Sequence, residues 1–71
     1  MTEADTKLCT ALSFSKIRGP EISGILHSLY HDAAWLPADI GITRLAEARR
    51  HATELLVAIL AAEQAMQRET A

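Results

Sequence analysis

Between Thr43 and Glu69, Leu45, Ala48, Ala52, Leu55, Ile59, Ala62 and Met66 recur at spacings that alternate strictly between three and four. That is the seam of a heptad repeat, and it predicts one long amphipathic helix over roughly residues 43–69. A second apolar line, Ile42, Leu56 and Leu60, runs beside the seam, with Val57 beyond it. Together they widen the apolar sector to roughly 160°, more than a single neighbouring helix requires. Glu47, Arg50, His51, Glu54 and Arg68 form the polar back.

Upstream, Ile22, Ile25, Leu26, Leu29, Ala33 and Leu36 fall within about 100° on a helical wheel and predict a core-facing helix over 20–36. Trp35 projects to the opposite side of that helix, near His27 and His31. The N-terminal segment is less regular. Ala4, Leu8, Ala11 and Leu12 make a stripe, and Thr2 with Asp5 resembles a capping box with the shorter acid. Phe14 and Ile17 point elsewhere, and Leu12-Ser13-Phe14-Ser15 alternates as a strand would. A helix over 3–17 is the expectation, the weakest of the three and open to fraying.

Punctuation sets these boundaries. Gly19-Pro20 reads as the end of one helix and the start of the next. Leu36-Pro37 ends the second, because a residue before proline is pushed out of the helical region. Thr43, after Gly41, reads as the N-cap of the third. The expected fold is therefore all-α, a single domain over residues 1–71. It is a small helical hairpin or three-helix protein with a long C-terminal helix, and homodimeric.

Length sharpens the last point. At 1.5 Å per residue a helix over 43–69 is nearly ~40 Å long and one over 20–36 only ~25 Å. Leu60 and Met66 would overhang the shorter helix; the first helix, with its poor stripe, would cover some of this surface and a second chain would cover it well. The expected dimer interface is Leu45, Ala48, Arg49, Ala52, Leu55, Leu56, Ile59, Leu60, Glu63 and Met66. Within it Arg49 and Glu63 lie equally far from Leu56. Two copies crossing antiparallel at Leu56 would set Arg49 of each against Glu63 of the other, and such a polar pair can fix register.

Composition limits the chemistry. A chain of 71 residues with a single cysteine, Cys9, cannot form an internal disulfide. Small scaffolds without disulfides usually draw on a metal or a partner chain. One unpaired thiol suits a reducing compartment, and the acidic N-terminal stretch does not read as a signal peptide, so a cytoplasmic location is expected. The apolar run Leu55–Ala62 is too short to span a bilayer, which needs about 20 residues. A net charge of −2 argues against bulk attraction to nucleic acid or anionic lipid.

His27 and His31 have the spacing of a two-histidine metal site, but no third ligand is specified by the pattern, and Ser28 stands where a zinc-protease motif needs Glu. Two solvated histidines are the plainer reading. Cys9 reads as a semi-buried small thiol, with no oxyanion turn to activate it. Gly19, Gly24 and Gly41 are isolated, so no phosphate loop is expected. No enzyme, cofactor or metal is expected.

The segment Asp39-Ile40-Gly41-Ile42-Thr43-Arg44 looks like the turn and opening of a helix-turn-helix recognition helix, with Arg44, Arg49 and Arg50 available to DNA. Pro37 and Glu47 count against it. Tyr30, Trp35, Arg44 and Arg50 are the residue types that dominate protein–protein binding energy. The competing role for Trp35 is an internal plug against the first helix or the 37–42 loop.

These features point to a non-catalytic, protein-binding regulator of bacterial or phage type, a homodimer that occludes a surface of a larger protein as an inhibitor or anti-activator. Tyr30, Trp35, Arg44 and Arg50 would make the contact. The alternatives are a DNA-binding regulator using residues 39–50 and a structural subunit of an obligate helical complex.

Overall fold

The computed structural model describes residues 2–70. They form two helices, α1 (Glu3–Asp32) and α2 (Ala38–Thr70), joined by a tight connection over residues 33–37. The fold is an all-α helical hairpin, and the expected three helices are two.

The difference lies at Gly19-Pro20. Pro20 sits inside α1, which runs without a break through residues 3–32. An interior proline removes one backbone hydrogen bond and crowds the carbonyl four residues back, at a cost of about 3 kcal/mol. The flanking turns offset that cost by packing on α2. Arg18 and Ile22 lie half-buried on either side of the proline, and Ile25 is buried one turn further on. Tertiary contact therefore overrides the local signal, and the strand-like Leu12–Ser15 alternation yields to it as well.

The N-terminus behaves as its sequence indicates. The Asp5 amide donates to Thr2 Oγ1 at 3.1 Å and the Thr2 amide donates to Asp5 Oδ2 at 3.4 Å, a complete capping box.

The turn lies earlier than Leu36-Pro37 suggests. α1 stops at Asp32, whose carbonyl accepts from the Trp35 and Leu36 amides at 3.1 and 3.0 Å. The Pro37 carbonyl accepts from the Gly41 amide at 3.0 Å, so α2 begins at Ala38. Thr43 is therefore no N-cap: it lies within the helix and its hydroxyl donates back to the Asp39 carbonyl at 3.0 Å.

The helices lie antiparallel along nearly their whole length, in a molecule measuring 52 × 17 × 12 Å. Arg18 pairs with Glu54 at 2.8 Å, and Arg68 pairs with Glu3 at the open end. Residues level across the hairpin therefore have numbers that total 71 or 72. The expected overhang is thus absent, because α1 accompanies α2 past Leu60 and Met66.

Small side chains dominate the seam between the helices. Its buried residues are Ala4 and Ile25 from α1 and Ala48, Ala58, Ala62 and Ala65 from α2. Half-buried Arg44, His51 and Leu55 complete the α2 line. This line also follows three–four spacing, but it is rotated by one residue at alternate positions from the line expected. Ala48, Leu55 and Ala62 are common to both lines. Arg44, His51, Ala58 and Ala65 replace Leu45, Ala52, Ile59 and Met66. His51 thus belongs to the seam and not to the polar back.

Candidate interaction face

Rotating the seam toward alanine leaves most of the larger apolar side chains of α2 on one flank. Taking about 100° per residue, Leu45, Ala52, Leu56, Ile59 and Leu60 lie to one side of the buried line, with Met66 at its edge. All are exposed, Leu56 to 53%. On α1 the same construction places Leu8, Leu12, Leu26 and Tyr30 on one flank of the Ala4–Ile25 line. They too are exposed.

A groove shows that the two flanks share a side of the hairpin. Its volume is about 410 Å³, and its walls are Leu8 and Ala11 from α1 with Ile59, Ala62, Glu63, Met66, Gln67 and Thr70 from α2. Leu8 and Ile59 belong to the two apolar flanks, so those flanks form a continuous face. The cross-hairpin register carries it along the molecule: Leu12 lies level with Ile59, Gly19 with Ala52 or Thr53, and Leu26 with Leu45.

Most of the expected dimer residues fall on this face. Leu45, Ala52, Leu56, Ile59, Leu60 and Met66 carry its apolar surface, and Arg49 and Glu63 are exposed on the same flank of α2. Ala48 and Leu55 do not belong to it. Ala48 is buried and Leu55 half-buried in the hairpin's own seam, so neither is free for another chain. The α1 contribution was the missed part. Leu8 and Leu12 were legible as a stripe, but only an unbroken α1 brings Leu26 onto the same flank.

The expected partner-contact residues separate. Tyr30 is 85% and Trp35 70% exposed, at and beside the turn, so Trp35 is not an internal plug, and it sits in the connection and not on a helix. Arg50 is exposed, whereas Arg44 is half-buried, with its Nε buried and unpartnered among the described residues. Arg18 Nε and His51 Nδ1 are in the same condition, so three polar atoms interrupt the alanine seam. Arg18 is otherwise held by Glu54 and by the Phe14 ring, whose centroid lies 5.9 Å from its guanidinium carbon.

Residues 39–43 are helical throughout, so the turn that a helix-turn-helix needs at this place is absent. His27 and His31 are exposed, and His31 Nδ1 lies 3.3 Å from Asp32 Oδ1. Cys9 is exposed, not semi-buried as expected. No helix among the described residues is long and apolar enough to cross a membrane.

Comparison with protein-family models, with curated proteins and with solved structures finds no match for this chain.

Proposed function

We propose that this chain is a small, non-catalytic, cytoplasmic protein-binding regulator that acts as a helical homodimer and occludes a surface of a larger protein. The apolar face formed jointly by α1 and α2 carries this reading. Large apolar patches on a small protein mark sites of association, and this one runs from the groove at Leu8 and Met66 to Leu26 and Leu45. The hairpin has little else to stabilise it, since five of its six buried apolar residues are alanines.

Tyr30, where the apolar face reaches the turn, and Trp35 beside it supply an aromatic surface at that end of the hairpin. Aromatic side chains bring large contact area with little conformational entropy to lose, so this end is the contact surface for the larger target. Photo-crosslinking from position 35 in the native host tests this assignment. A specific adduct that disappears with Tyr30→Ala, while the dimer persists, is the expected result. An adduct unchanged by that substitution would remove the tip from the binding surface.

A structural-subunit reading draws on the same exposed face, with a different helical protein covering it. Sedimentation of the purified chain separates the two. An obligate subunit alone aggregates or unfolds, whereas the regulator sediments as a discrete folded dimer.

A further inference from the structure

The apolar face has the area, shape and charge pattern to take a second copy of this chain in one orientation. Folded monomers of 7.7 kDa expose about 4,300 Å² on the general scaling of surface with mass. This hairpin exposes 5270 Å². The excess of about 1,000 Å² over the whole elongated molecule is large enough to supply the ~800 Å² that each partner contributes to an interface of standard size.

Charge fixes the orientation. Two hairpins stacked face to face can be related by a two-fold axis parallel to the helices or perpendicular to them. The parallel axis sets α2 over α1 of the copy. By the hairpin's own register that places Glu63 against Leu8 and Arg49 against Ile22 or Ser23. Both charges would then be covered without a counter-charge, which is costly. The perpendicular axis sets α2 against α2 and, placed at Leu56, brings Arg49 of each copy to Glu63 of the other. Glu63 stands at the groove wall, beside the apolar side chains a copy would cover. This axis also sets Gly19, where a Cβ would meet nothing within 4 Å, opposite Leu12 of the other copy.

We infer that two copies form an antiparallel four-helix bundle about a two-fold axis at Leu56, with reciprocal Arg49–Glu63 pairs. The inference rests on the dimer reading above and adds its geometry. Its consequence is a two-ended rod. Ala38 lies 18 residues before Leu56, so the two copies of Ala38 stand about 54 Å apart along the bundle at 1.5 Å per residue. The two aromatic turns, each with Tyr30 and Trp35, then lie at opposite ends, and one dimer presents two identical, well-separated docking ends.

Two measurements on the full chain test this geometry. Spin labels on Ala38→Cys in a Cys9→Ser background should report a separation near 54 Å plus the label reach. Arg49→Glu and Glu63→Arg should each weaken dimerisation roughly tenfold or more, and the double reversal should restore it. A dimer with both labels at one end, or a double reversal that fails to rescue, overturns the arrangement while leaving dimerisation intact. A folded, non-associating chain overturns the dimer reading itself.

Discussion

Leu8 of α1 and Met66 of α2 wall the same groove, yet 44% and 47% of their surfaces remain open to solvent. They stand beside the seam, because the line between the helices is filled by Ala58, Ala62 and Ala65. Small residues at the contact let helices approach closely, and the larger side chains are then left on the flank. The hairpin consequently turns its best hydrophobic material outward, which is the physical basis for expecting a covering chain.

Leu56 lies at the centre of that outward face. On a lone hairpin, replacing a half-exposed leucine changes stability by no more than about 0.5 kcal/mol. In the proposed dimer it is covered, and its replacement removes about 1.5–3 kcal/mol of apolar burial per copy. Leu56→Gln should therefore shift the chain toward monomer in sedimentation and lower its melting temperature.

Ala65 is wholly buried, at 0% exposure, and faces α1 near the capping box. Ala65→Leu forces extra methylene groups into a closed contact and should cost about 1–3 kcal/mol. Denaturant unfolding reads the loss directly. A neutral result would mean that the helices separate readily at this end.

How much of this was legible from the chain turns on such positions. The two helical lines of α2 share Ala48, Leu55 and Ala62 and differ by one residue elsewhere, so spacing alone does not decide which faces α1. Hydrophobicity favours Leu45, Ile59 and Met66, whereas close helix approach selects Ala58 and Ala65. The capping box was legible because it is local, two side chains answering two amides. The continuity of α1 was not, because Pro20 is tolerated through contacts made by Arg18, Ile22 and Ile25 with residues far away in sequence. The apolar face was half legible: its α2 residues stood out, but their α1 neighbours depend on that continuity.

Pro20 is exposed and costs α1 a backbone hydrogen bond in mid-helix. Pro20→Ala restores the donor and should stabilise the protein, by up to about 3 kcal/mol if the helix is otherwise unstrained. A rise in melting temperature with unchanged helical circular dichroism is the expected outcome.

Gly24 and Gly19 form an internal control. Beyond its chain neighbours and the local helix backbone, a Cβ at either meets nothing within 4 Å. Gly24 points away from the apolar face, so Gly24→Ala should add about 0.5–1 kcal/mol through helix propensity alone. Gly19 lies on the face and, in the proposed dimer, opposes Leu12 of the second copy. A Cβ here also crowds the Pro20 ring, so its stability gain is smaller in any case. Association is the readout, and Gly19→Ala should weaken it. Unaltered dimerisation would place Gly19 outside the interface.

Sedimentation equilibrium of the unmodified chain through a dilution series, with thermal unfolding followed on the same samples, is the most direct test. The expected species has twice the 7.7 kDa chain mass, and its melting temperature should fall on dilution as association is lost. A cooperatively folded species of single-chain mass, melting at one temperature at every concentration, would contradict the account.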